Sequence, residues 1–213
     1  MIQGLWGASA LAALAYGFVL VGREPSAART TIKTIAVAAL AVLALLHGAP
    51  WLLIAGLAAC ALGDAFLAGD PKRWLPFGLF SFLVGHVLYI FLFANLRDPY
   101  SEITGVQLAI LAVIAVAGAA MLAFLWKSLG AMRPAVILYV IAIAVMTGSS
   151  FLLSGAYWPV MAGSVAFMAS DSVLAMNLFR QEVLFGSKRA TDWAVWFLYY
   201  GAQVGIAWPF IVS

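Results

Sequence analysis

Leu57-Ala58-Ala59-Cys60-Ala61-Leu62-Gly63-Asp64-Ala65-Phe66-Leu67 places a single carboxylate inside an otherwise apolar run, and Val165-Ala166-Phe167-Met168-Ala169-Ser170-Asp171-Ser172-Val173-Leu174 does so again. A carboxylate near a bilayer centre costs about 2.5–3.5 kcal/mol on insertion scales, so it faces a protein interior, a water cavity or a reaction. The residues around these runs decide the fold class. Hydrophobic residues make up 66% of the chain, charged residues 9%, and the mean hydropathy is +1.08. A soluble domain of this length would have too few charges to cover its outside. The fold class is therefore all-α, a polytopic transmembrane bundle.

Apolar runs of about 20 residues predict eight spans near 2–21, 30–47, 51–69, 74–95, 103–126, 133–153, 157–179 and 191–212. Gly48-Ala49-Pro50, Asp70-Pro71, Arg97-Asp98-Pro99, Arg133-Pro134 and Trp158-Pro159 punctuate span ends, where proline disturbs a helix least. No connection is long enough for a soluble domain, so 1–213 reads as a single integral membrane domain. The second span is short and carries Lys33, which is expected to snorkel to the interface from a tilted or partly re-entrant segment.

Ten of the eleven Lys/Arg residues flank the odd-numbered connections; Arg97 alone lies on the other side. The positive-inside rule puts those connections in the cytoplasm and both termini outside, and a bacterial inner membrane is the expected location. The same distribution explains the net charge of +3 without any nucleic-acid partner. No basic segment precedes the first apolar run, so residues 2–21 are expected to remain as a span. Trp51, Trp74, Trp126, Trp158, Trp193 and Trp208 fall near span ends, as interfacial anchors do. Cys60 is the sole cysteine, which excludes an internal disulfide.

Asp64 and Asp171 are 107 residues apart, each in the third span of its half and each nine residues before an arginine, Arg73 or Arg180. At 1.5 Å per residue both lie roughly 13 Å from the same interface, which permits a facing pair and admits two parallel four-helix repeats. Helical phase puts His86 and Tyr89 on one face of the fourth span, and Tyr199 and Tyr200 within reach of Gln203 on the eighth. Ser170, Ser172 and Asn177 accompany Asp171. These groups can line a polar pocket among the third, fourth, seventh and eighth helices, or serve as interhelical hydrogen-bond partners. His86 beside carboxylates is a hydrogen-bond partner and a proton carrier.

Two close carboxylates in a poorly solvated site resist simultaneous ionisation, so the pair divides into an acid and a base. Such a pair can protonate one atom and activate water for another, with no metal or cofactor. With two histidines in the chain, and His47 at another depth, a zinc site is a poor fit. No Gly-x-Ser-x-Gly elbow or phosphate loop is present. Ala61-Leu62-Gly63-Asp64 partly echoes the Gly-x-Gly-Asp motif of intramembrane aspartyl proteases, but their Pro-Ala-Leu segment is missing.

Leu62-Gly63-Asp64, the stretch Phe77-Gly78-Leu79-Phe80-Ser81-Phe82-Leu83-Val84-Gly85-His86-Val87-Leu88-Tyr89, Ser170-Asp171-Ser172 with Phe179, and Tyr199-Tyr200-Gly201-Ala202-Gln203 resemble the YhhN-like lysoplasmalogenases, eight-span membrane proteins of bacteria and animals. The family's Lys-Pro in the second span appears here as Lys33-Thr34. The resemblance implies hydrolysis of the vinyl ether bond of a lysoplasmalogen to a fatty aldehyde and glycerophosphoethanolamine or glycerophosphocholine. On that reading Asp64 and Asp171 are catalytic, one as acid and one as base, with His86 and Tyr89 orienting them or the water. Tyr199, Tyr200, Gln203, Ser170 and Ser172 belong to substrate binding, and Lys33 meets the phosphate. The lysophospholipid enters sideways from the bilayer lipids, its chain among Phe66, Phe82 and Phe167. The rival from another class is a proton-coupled small-molecule transporter with the same aspartates as proton carriers.

Overall fold

The computed structural model describes residues 2–212, apart from the side chains of Pro71 and Lys72. Among these residues the chain forms eight helices long and apolar enough to cross a membrane. They are α1 (Ile2–Ala15, continued by a π-helical turn Tyr16–Leu20), α2 (Ala27–Leu46), α3 (Trp51–Ala68), α4 (Pro71–Leu96), α5 (Gly105–Leu125), α6 (Arg133–Ser150), α7 (Trp158–Arg180) and α8 (Lys188–Ile211). The protein is an integral membrane protein, and the expected spans match these helices to within a few residues.

Several helix starts are written locally. Ser26 caps α2 by accepting from the Arg29 amide at 3.2 Å, and Ser187 caps α8 by accepting from the Ala190 amide at 3.1 Å. Thr104 and Gln107 form a reciprocal capping box at α5. The second span departs from expectation. It is one continuous helix of 20 residues, neither short nor re-entrant, and Ala36, Val37, Leu40, Leu43 and Ala44 bury a complete stripe against its neighbours. An apolar face at helical spacing outweighs the polar residues at its start.

Within each half, α1 to α4 and α5 to α8, consecutive helices pack as antiparallel hairpins, and the bundle closes through α2 against α8 and α4 against α6. Exchanging the first four helices with the last four turns one of these closures into the other. Each closure joins the second helix of one half to the fourth helix of the other. The core lies among α2, α3, α4, α7 and α8, with Leu43, Leu53, Leu57, Phe93, Phe167 and Ile206 fully buried. Helix α5 lies at the periphery, against α6 and α7.

Helices α7 and α8 meet backbone to backbone. A Cβ on Gly205 would lie 2.8 Å from the Pro159 carbonyl oxygen and 3.1 Å from Gly163 Cα. Small residues at such crossings allow the close packing that stabilises helix pairs in lipid. Gly205→Ala is expected to lower the melting temperature in detergent by several degrees, because overpacking against backbone costs about 1–3 kcal/mol. Gly201→Ala, where an added Cβ meets nothing within 4 Å, is the matched control and should melt as wild type.

Candidate active site

The π-helical turn that ends α1 lets the chain bend over the ends of α2 and α8. Wider winding at Tyr16–Leu20 frees backbone carbonyls from the regular ladder. Two indoles of α8 use carbonyls in this region: Trp196 Nε1 donates to the Ala13 carbonyl at 2.9 Å and Trp193 Nε1 to the Gly17 carbonyl at 2.6 Å. Tyr16 packs against Trp196 with its ring tilted by 55° and ring centroids 4.4 Å apart.

The Lys33 ammonium sits over both rings, 5.7 Å from the Tyr16 centroid and 5.8 Å from that of Trp196. Its Nζ lies 3.0 Å from Asp64 Oδ1, and the Asp64 carboxylate is fully buried. Tyr199 completes the arrangement by donating its hydroxyl to Asp64 Oδ2 at 2.6 Å. Lys33 therefore does not snorkel. A buried carboxylate offers it a direct ion pair, and two aromatic faces offer cation–π contacts, so turning inward satisfies both charges at once. On α3, Gly63 makes room for the Phe82 ring beside this carboxylate, for a Cβ there would come within 2.7 Å of the ring.

The second carboxylate is held differently. Tyr139 on α6 donates its hydroxyl to Asp171 Oδ2 at 2.5 Å. Asp171 is partly open and has no lysine or arginine in ion-pair contact among the described residues. Lys33 precedes Asp64 by 31 residues and Tyr139 precedes Asp171 by 32, so the two halves place a cation and a phenol at equivalent stations. The carboxylates are unlike in partner.

Both line one cavity of about 440 Å³. Its polar wall comprises Lys33, Asp64, Tyr139, Ser170, Asp171 and Tyr199, and its apolar wall is built from α4, α5 and α6, including Leu79, Phe82, Gly118, Val136 and Ile143. At one end it reaches the exposed loop 22–25 and Lys188 at the start of α8. The pocket thus draws on α5 and α6, which the sequence did not assign to it.

Several expected residues lie elsewhere. Tyr89 donates to Gln203 Oε1 at 2.7 Å in a buried α4–α8 link that does not reach the cavity. Tyr200 exchanges a 2.8 Å hydrogen bond with Ser9, whose hydroxyl donates to the Ala36 carbonyl. His86 is fully buried behind the site, its ring edge-on to Tyr139 at 5.0 Å and tilted against Phe167 at 4.6 Å, with no well-formed hydrogen bond to either nitrogen among the described residues. Ser170 and Ser172 line the cavity but give their protons to the Val195 and Met168 carbonyls. Of Phe66, Phe82 and Phe167, Phe82 alone reaches the cavity wall.

Tyr16 and Tyr139 were not singled out in the sequence. Tyr139 had a readable signal, being the lone hydroxyl-bearing aromatic in its span, 32 residues before Asp171 where Lys33 is 31 before Asp64. Among the described residues no three of His, Cys, Asp and Glu converge as a metal-binding group.

Proteins named lysoplasmalogenase from Mycobacterium bovis and Mycobacterium tuberculosis are each 28% identical over 223 residues, an alignment that covers 96% of this chain and 82% of each relative. No solved structure matches the chain significantly. The YhhN family matches across residues 28–210, which takes in both carboxylates, Lys33, Tyr139 and Tyr199, and the chain belongs to that family.

Proposed function

We propose that the protein is a membrane-embedded lysoplasmalogenase that cleaves the vinyl ether of an alkenyl-lysophospholipid into a fatty aldehyde and glycerophosphoethanolamine or glycerophosphocholine. The observation that carries the proposal is the unlike pairing of two carboxylates on one cavity: Asp64 with a lysine at 3.0 Å, Asp171 with a phenol at 2.5 Å. Vinyl ether hydrolysis needs a proton donor and a nearby negative charge, and unlike environments are how two carboxyl groups acquire the two roles. The relatives' name, lysoplasmalogenase, supports the same substrate class.

Asp171 is the acid. Tyr139 donates to Oδ2, so that oxygen serves as the carbonyl oxygen of a neutral carboxyl group and Oδ1 bears the proton. Transfer of that proton to the β-carbon of the vinyl ether leaves an oxocarbenium ion at the carbon bonded to oxygen. Asp64, kept anionic by Lys33 and Tyr199, stabilises this cation. Water adds to the cationic carbon and gives a proton to the Asp171 carboxylate, forming a hemiacetal. Collapse of the hemiacetal moves one proton from Asp171 to the glycerol oxygen and returns the hydroxyl proton to Asp171, releasing aldehyde and alcohol with the acid restored. His86 holds Tyr139 from behind, and the alkenyl chain lies along the apolar wall of α4, α5 and α6. The polar end of the cavity faces the cytoplasm, both termini lie outside, and the membrane is the bacterial inner membrane.

The repeat-like packing favours one second reading, a proton-coupled carrier that rocks about the same carboxylates. Purified protein in detergent, given 1-alkenyl-lysophosphoethanolamine and no ion gradient, separates the two. Aldehyde release is the expected result. Gradient-driven solute uptake in vesicles without any aldehyde would overturn the hydrolase assignment.

A further inference from the structure

The outer part of the cavity carries charge of both signs around one opening: Arg23, Arg29 and Lys188 with Glu24 and Asp192. A fatty aldehyde or a neutral ether has no use for such a rim. A phosphate linked to an ammonium group does. Resting on the hydrolase reading above, we propose that this rim is the headgroup subsite: Arg29, assisted by Arg23, holds the phosphate, and Asp192, assisted by Glu24, holds the ammonium of a zwitterionic single-chain lipid.

Three observations carry this. First, Arg29 is built into the fold and still has donors to spare. Its Nη1 donates to the Ala68 carbonyl at 3.0 Å and its Nη2 to the Tyr16 hydroxyl at 3.4 Å, while its Nε is buried with no partner among the described residues. A guanidinium with two of five N–H groups engaged is fixed in orientation and ready for a phosphate.

Second, the register fits. Arg29 precedes Lys33 by one turn of α2, or roughly 6 Å along the axis. Between the phosphorus of a lysophospholipid and its vinyl ether oxygen lie five single bonds, which in zigzag also span roughly 6 Å at about 1.5 Å per bond. A phosphate at Arg29 thus sets the vinyl ether at the depth of Lys33 and the carboxylates.

Third, the loop after α1 is bent to place its charges at the opening. Gly22 holds a left-handed φ of +73°, and a Cβ on it would meet Asp192 Oδ2 at 3.6 Å. That turn leads into Arg23 and Glu24, which line the same cavity as Asp192. Lys188 pairs with Asp192 at 3.1 Å through a largely exposed ammonium, so an incoming substrate ammonium can replace it at little loss.

The test compares three alkenyl substrates: 1-alkenyl-lysophosphoethanolamine, 1-alkenyl-lysophosphatidate, which has the phosphate alone, and 1-alkenylglycerol, which has neither group. Arg29→Gln is expected to raise KM on the two phosphate-bearing substrates about ten-fold or more beyond any change it makes on 1-alkenylglycerol. Arg23→Gln, a change at an exposed side chain, should give the same pattern at smaller amplitude. Asp192→Asn should remove the preference for the ethanolamine lipid over the lysophosphatidate. Equal losses on all three substrates, or none on any, would overturn the proposal. Binding of the uncleavable 1-alkyl-lysophosphoethanolamine, read by tryptophan fluorescence, separates this proposal from the reaction itself. Binding by wild type and its weakening in Arg29→Gln keep the subsite even where no alkenyl lipid is turned over, and equal binding by both removes it.

Discussion

Asp171→Asn is expected to reduce aldehyde release by about 100- to 10,000-fold, the range that a positioned general acid supplies, while leaving the melting temperature close to that of wild type. The amide oxygen still accepts the Tyr139 hydroxyl that now reaches Oδ2 at 2.5 Å, and asparagine matches aspartic acid in size. The substitution removes an ionisable proton and little else. Loss of rate should therefore appear in kcat rather than KM. Tyr139→Phe makes a useful companion, since it deletes the hydrogen bond and keeps the acid; its loss should be far smaller, in line with about 0.5–1.5 kcal/mol for one neutral hydrogen bond. The measurement is steady-state aldehyde production by the purified variants beside thermal unfolding in the same detergent. An Asp171→Asn protein that retains wild-type kcat would remove Asp171 as the acid and leave Asp64 as the carboxyl group to examine.

The span boundaries were legible because the bilayer sets the length of a helix, and prolines, tryptophans and basic residues mark where it ends. Both carboxylates were legible for a related reason: an aspartate in the middle of such a run is costly and must be compensated. The compensating group was harder to read. A lone lysine near a span end ordinarily snorkels, and whether it turns inward instead depends on a carboxylate 31 residues away in sequence and 3.0 Å away in space. Helical phase placed Tyr89, Tyr200 and Gln203 on their faces but could not say which neighbour each face meets. Tyr89 and Gln203 turn out to satisfy one another, and Tyr200 reaches α1 through Ser9. Tyr139 escaped notice because a tyrosine in a membrane helix is ordinary until its partner is known. The apolar wall drawn from α5 and α6 depends on how the halves dock, a long-range property that spacing along one helix does not carry.

Lys33→Met should destabilise the protein strongly and also remove activity, whereas Lys33→Met combined with Asp64→Leu should recover most of the stability and none of the activity. Removing one partner of a buried ion pair leaves the other charge uncompensated, at a cost of about 3–5 kcal/mol. Here the abandoned group would be a fully buried carboxylate with the Tyr199 hydroxyl as its remaining side-chain donor. Methionine keeps the length of the lysine stem and its packing against Tyr16 and Trp196, so the loss measures charge rather than volume. Replacing both members with apolar groups of similar size removes the desolvation cost along with the attraction, and buried pairs replaced in this way are often neutral or stabilising. Thermal unfolding of wild type, both single variants and the double variant closes a double-mutant cycle, and the expected coupling is large and favourable. Activity should not follow stability around this cycle. The oxocarbenium ion needs the Asp64 charge, so the double variant should fold and remain inactive. A double variant that releases aldehyde near the wild-type rate would show that the Lys33–Asp64 pair is a helix tie alone, and would leave Asp171 and Tyr139 to perform the chemistry without it.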